Sequence, residues 1–114
     1  MAAAKPVYLG EFEYLVLLAI LRLGPEAYAP SILRALEQHA GRTVTRGALY
    51  RTLDRLDHKE LLRWKVHVGT AARNDMPRRA YTLTAAGLAS VRASHRAMSR
   101  MAVGVEDLLG DWSS

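Results

Sequence analysis

The chain has 114 residues, half of them apolar and 24% charged, a mix that fits one globular domain around one hydrophobic core. No apolar run reaches the roughly 18 residues of a membrane span, and Met1 to Lys5 carry no secretory signal pattern. The absence of cysteine excludes disulfides, thiolate metal sites and cysteine nucleophiles, and fits a reducing cytoplasm.

Net charge is +5 and the isoelectric point about 10.0, but the excess is not spread evenly. Residues 42–79 hold ten Lys/Arg against four acids, whereas the rest of the chain holds six against seven. A basic surface concentrated in this way is the footprint of a polyanion binder. Thirteen of the sixteen cations are Arg, the side chain suited to bidentate phosphate or guanine contacts.

The first helical pattern runs from Gly10 to Leu23, with Phe12, Leu15, Val16, Ala19, Ile20 and Leu23 on one stripe, and Leu17, Leu18 and Leu21 widening it. Glu11 and Glu13 suit its first turn, and Gly24-Pro25 stops it. A short helix that is apolar on most sides needs cover from two directions, which predicts a partner subunit on one of them. Pro30 opens a second helix and Gly41 closes it, with Ile32, Leu33, Leu36 and Ala40 buried.

Thr45 is the expected N-cap of a third helix, Arg46 to Lys59. Leu49, Leu53 and Leu56 face inward, leaving Arg46, Gly47, Tyr50, Arg51, Asp54, Arg55 and His58 on a basic outer face. From Leu62 the period changes to alternation: Leu62, Trp64, Val66 and Val68 point one way, and Arg63, Lys65 and His67 the other. Trp64 is therefore expected in the core. Residues Gly69 to Pro77 read as a loop, and Arg79 to Thr84 as a second strand with Tyr81 and Leu83 inward.

Thr84 caps a last helix expected to run from Ala85 to Leu109, with Val91, Ser94, Met98, Met101, Val105 and Leu108 as a coiled-coil-like seam. A second copy of the chain would cover that seam. The fold class is therefore mainly α with a small β-hairpin. Residues 1–84 form a winged helix-turn-helix domain, and residues 85–114 a dimerisation helix and tail. In that arrangement the third helix enters the major groove of double-stranded DNA and the hairpin reaches the flanking backbone.

Three blocks carry a resemblance to a known family: Leu9-Gly-Glu-Phe-Glu-Tyr-Leu-Val-Leu-Leu-Ala, Gly47-Ala-Leu-Tyr-Arg-Thr-Leu-Asp-Arg-Leu and Arg78-Arg-Ala-Tyr-Thr-Leu-Thr-Ala-Ala-Gly. Together they resemble the PadR family of bacterial transcription regulators. The resemblance implies a homodimeric repressor, joined through the first and last helices and binding an inverted-repeat operator. A small-molecule effector releases the DNA from many such repressors. Where the family often has Gly at the end of the recognition helix, this chain has Glu60, which favours a different helix end because a left-handed Glu costs about 1 kcal/mol. Ala80 precedes Tyr81 where two adjacent aromatics are usual, and Met98 stands where some relatives carry a ligand-stacking Trp.

The expected DNA contacts are Thr45, Arg46, Tyr50, Arg51 and Arg55 on the helix, with Arg73, Arg78 and Arg79 on the wing. Arg51 is the first candidate for base reading and Tyr50 for a phosphate. The expected dimer contacts are Leu15, Val91, Met98, Met101, Val105 and Leu108. No His pair has metal-binding spacing and no nucleophile elbow or phosphate loop is present, so neither an enzyme nor a cofactor is expected. The rival from another class is a winged-helix protein-interaction module, which has no reason to concentrate positive charge on helix and wing.

Overall fold

A computed structural model describes residues 8–68 and 76–110. Helix α1 (Glu11–Leu23) starts at Gly10, whose backbone N–H donates to Glu13 Oε1 at 3.0 Å, a side chain reaching back to cap its own helix. Helix α2 (Ala29–Ala40) has Pro30 in its first turn, where a missing N–H leaves no helical bond unmade. Helix α3 (Arg46–His58) is capped by Thr45, whose Oγ1 accepts from the Ala48 N–H at 3.1 Å. Val16, Leu17 and Ile20 of α1, Ile32 and Leu36 of α2, and Leu49, Leu53 and Leu56 of α3 are all buried in one core.

Strands β1 (Leu62–His67) and β2 (Arg78–Leu83) pair antiparallel with Leu62 opposite Leu83, Trp64 opposite Tyr81 and His67 opposite Arg78. The Tyr81 N–H donates to the Ala27 carbonyl at 2.9 Å, so the connection between α1 and α2 runs along the free side of β2. That contact covers the other side of β2 at Tyr81, whereas β1 makes no backbone hydrogen bond on its outer side among the described residues. The consequence corrects one expectation. Tyr81 is buried, but Trp64, directly opposite on the edge strand, is 38% exposed, and Val66 is 53% exposed. Burial along β1 does not alternate: only Leu62 is buried, and the strand outruns the core after it.

Glu60 supplies a second correction. It adopts φ 61, the one positive φ at a non-glycine among the described residues. Two bonds impose it: the Leu61 N–H donates to the Leu56 carbonyl at 3.0 Å, and the Glu60 N–H to that of Asp57 at 2.9 Å. This is the paired closure that ends helices in a left-handed residue. The turn is held from outside as well, because Thr84 Oγ1 donates to the Glu60 carbonyl at 2.7 Å and the Thr84 N–H to that of Leu61 at 3.1 Å. Tertiary bonding thus outweighs the local cost, and Glu60→Gly is expected to raise stability by about 1 kcal/mol in chemical denaturation, with an unchanged denaturant slope.

Helix α4 (Ala85–Ala102) is capped by Thr84, whose Oγ1 accepts from the Gly87 N–H at 3.0 Å. It stops short of the expected Leu109. Val103 leaves the helix with φ −59 and ψ 129, and Gly104 takes φ 89, a left-handed conformation that glycine adopts without a Cβ clash. Glu106 Oε1 secures the turn by accepting the Gly104 N–H at 2.9 Å, and Glu106–Leu109 form a 3-10 turn. The helix is therefore about 27 Å long at 1.5 Å per residue. Val105 and Leu108 lie beyond its end.

Candidate nucleic-acid interface

The outer face of α3 starts at its capped end. Thr45, Arg46 and Arg51 are exposed there, and Tyr50 is 39% exposed. Arg51 leans back along the helix, with Nη1 3.7 Å from where a Cβ on Gly47 would stand. Side chains on a helix tilt toward its N-terminus, so the Arg51 guanidinium joins Arg46 at the leading end. These two arginines and Tyr50 are exposed donors on this face of the helix.

Arg55 does not project freely as expected. Its Nε donates to Glu13 Oε2 at 3.2 Å and its Nη2 to Thr52 Oγ1 at 3.3 Å. Lys59 Nζ donates to the same Glu13 oxygen at 2.9 Å. Glu13 is only 7% exposed. Burial on its own would raise its pKa, but the hydrogen bonds from Lys59, the Gly10 N–H and Arg55, with the charge of Lys59, hold its carboxyl below the usual range. Sequence spacing missed this group: a glutamate in a first helical turn suggests only the dipole effect, and no local pattern reveals two cations arriving from α3.

The hairpin adds more cations. Arg79 Cζ lies over the Trp64 ring, 4.0 Å from its centroid, and Arg78 Cζ over the Tyr28 ring at 4.7 Å. The Tyr28 hydroxyl is hydrogen-bonded to His67 Nδ1 and the two rings stack with centroids 5.8 Å apart. Among the described residues the ion pairs involve Glu11 with Arg42 and Glu13 with Arg55 and Lys59, so Arg63, Lys65, Arg78 and Arg79 have no carboxylate partner there. Burial pushes the Tyr81 phenol up, with Arg79 working against the rise and Tyr50 and Asp54 adding to it. Arg79 of the hairpin and Tyr50 and Asp54 of α3 are therefore each within electrostatic reach of Tyr81. Arg73, the expected contact in the wing loop, lies outside the described residues.

The expected dimer residues divide. Val91 is 5% exposed and belongs to the core of its own chain, and Leu15 is half-buried against the same core. Met98, Met101, Val105 and Leu108 are exposed. Met98, Met101 and Val105 line an open apolar groove of about 430 Å³ with Ala97, Ala102 and Leu109. A larger cleft, about 830 Å³, lies between the end of α1 at Leu21 and Pro25 and the hairpin at Lys65, His67 and Ala80. No cluster of potential metal ligands occurs among the described residues, and no helix there is long and apolar enough to cross a membrane.

Three core helices, a hairpin packed beside the third, and a basic outer face on that helix define a winged helix-turn-helix protein. The sequence pattern of the transcriptional regulator PadR-like family matches residues 17–93, and the chain belongs to that family, whose members are transcription regulators. Solved structures agree. A PadR-like transcription factor from Bacteroides fragilis is 28% identical with a TM-score of 0.65, covering 85% of this chain and 88% of that one. A PadR family transcriptional regulator from Eggerthella lenta is also 28% identical, with a TM-score of 0.64 and coverage of 89% and 88%. Bacillus subtilis PadR in complex with operator DNA shares the fold at a TM-score of 0.59 and 18% identity, over 76% of this chain and 46% of that one. No curated protein matches the chain.

Proposed function

We propose that the protein is a homodimeric, sequence-specific repressor that lays α3 in the major groove of an inverted-repeat operator. The observation that carries this reading is the set of exposed Arg46, Tyr50 and Arg51 on α3 together with Arg79 on the hairpin, which has no carboxylate partner among the described residues. Arg51 and Arg46 read bases or phosphates at the leading end of the helix, Thr45 and Tyr50 contact the backbone through their hydroxyls, and Arg73, Arg78 and Arg79 serve flanking phosphates. Arg55, tied to Glu13, orients α3 and contributes charge rather than base reading. The fold relative from Bacillus subtilis was crystallised in complex with operator DNA, which supports DNA as the partner.

The proposed division puts the DNA-binding domain at residues 1–84 and the dimerisation helix and tail at 85–114, with the start of α4 shared between them. The first turns of α4 carry Gly87, Ser90 and Val91 into the core and complete the DNA-binding unit, while Met98 onward meets a second copy. An exposed strip of Met98, Met101, Val105 and Leu108 is costly to leave in water, and a second chain removes it. The groove beside Met98 and Met101, once closed by that partner, is the place for a small-molecule effector. Regulation of this kind puts the protein in the cytoplasm with the chromosome.

Selection of duplexes from a random pool at fixed salt tests the reading. The expected product is an inverted repeat with half-sites about one helical turn, roughly 34–36 Å, apart. Arg51→Ala should then bind that duplex about tenfold more weakly, through loss of a base contact. A pool that never enriches, or binding indifferent to salt, would overturn the assignment in favour of an interaction module.

A further inference from the structure

We infer that Trp64 is a positioning residue for DNA binding: its indole holds the Arg79 guanidinium on the α3 side of the hairpin, ready for a phosphate. The inference rests on the DNA-binding reading above and adds a residue to it. Trp64 pairs with Tyr81, and Arg79 with Val66, so Trp64 and Arg79 are diagonal neighbours on the hairpin face that carries Tyr81. Their 4.0 Å separation is well within the roughly 6 Å over which a cation is attracted to an aromatic face. Through Tyr81 that face adjoins Tyr50 and Asp54 of α3.

Among the described residues the holder of Arg79 is aromatic and none is acidic, which has a chemical consequence. A carboxylate would occupy the in-plane N–H donors of Arg79 and cancel its charge. A ring beneath the guanidinium leaves the charge and all five donors available to a phosphate. It also restricts a long, rotamer-rich side chain before DNA arrives, so less freedom is lost on binding. This accounts for a large aromatic on an edge strand at 38% exposure, where core packing does not. Arg78 provides the contrast. It is the next residue along β2, so its side chain leaves from the opposite face, where it lies over Tyr28. Of the two adjacent arginines, only Arg79 shares the hairpin face that carries Tyr81.

The test is titration of a long mixed-sequence duplex, which isolates phosphate contacts, at several salt concentrations. The proteins are wild type, Trp64→Phe, Trp64→Leu, Arg79→Ala and the Trp64→Leu/Arg79→Ala double variant, each confirmed folded by thermal melting. Arg79→Ala should weaken binding and lower the salt slope by about one contact. Trp64→Leu should reproduce most of that loss, roughly three- to tenfold, while Trp64→Phe, which keeps a ring, stays near wild type. The double variant should bind no more weakly than Arg79→Ala alone. Trp64→Thr, suited to an edge strand, replaces the Leu variant if the latter does not fold. Losses that add in the double variant, or a Trp64→Leu protein with wild-type affinity and slope, would overturn the role of Trp64 while leaving DNA binding intact. A wild type that does not bind duplex DNA would overturn the parent reading and this one with it.

Discussion

Gly87→Ala lowers stability by about 3 kcal/mol or more, in the opposite direction to the usual effect of this change in a helix. A Cβ at Gly87 would stand 1.9 Å from the Leu61 carbonyl oxygen and 2.9 Å from its carbon. Both are backbone atoms, and the Leu61 oxygen is already fixed by the Thr84 N–H. Relief requires the start of α4 to move away from the turn after α3, which breaks the Thr84 bonds that hold Glu60 and Leu61. Overpacking of this kind costs about 1–3 kcal/mol or more, whereas an unhindered helical Gly→Ala change gains up to about 1 kcal/mol. Gly47→Ala is the control, because a Cβ there would meet only Arg51 Nη1, at an ordinary 3.7 Å. Thermal melting should show Gly87→Ala lower by roughly 10–20 °C and Gly47→Ala unchanged or higher. A Gly87→Ala protein as stable as wild type would mean that α4 does not press on the α3–β1 turn.

The same contact shows where a sequence can be read and where it cannot. Thr45, Thr84 and Gly41 announce helix ends because each acts on backbone groups within a few residues. The face of α3 is equally legible, since Leu49, Leu53 and Leu56 alone determine which side turns outward. Glu60 is the opposite case. Its own preference argues against φ 61, and the groups that override it belong to Thr84, far along the chain. Trp64 and Val66 keep the period of a buried strand, but period reports direction and not depth, and β1 has no neighbour on its outer side. The helix expected to reach Leu109 stops early for a related reason: apolar spacing continues through Gly104 although the helical backbone does not.

Glu13→Ala is expected to cost about 2 kcal/mol, less than the 3–5 kcal/mol of a fully buried pair because Arg55 and Lys59 are 54% and 33% exposed as side chains. The loss comes from three acceptor contacts at one carboxylate, to the Gly10 N–H, Arg55 and Lys59. Its pH dependence has a definite sign. With its pKa lowered in the folded chain, Glu13 contributes fully above the unfolded value, about 4.3, and that contribution fades as pH falls through the folded pKa. Glu13→Gln, which cannot ionise, lacks this component, so its stability curve should lie below wild type at neutral pH and converge with it in acid. DNA binding should move the other way. Without the carboxylate, Arg55 and Lys59 are free to reach phosphates, so Glu13→Gln should bind mixed-sequence duplex more tightly at low salt and with a steeper salt slope. A variant that lost stability and non-specific affinity together would show that Glu13 serves DNA binding by fixing the angle of α3 on α1, outweighing the charge it neutralises.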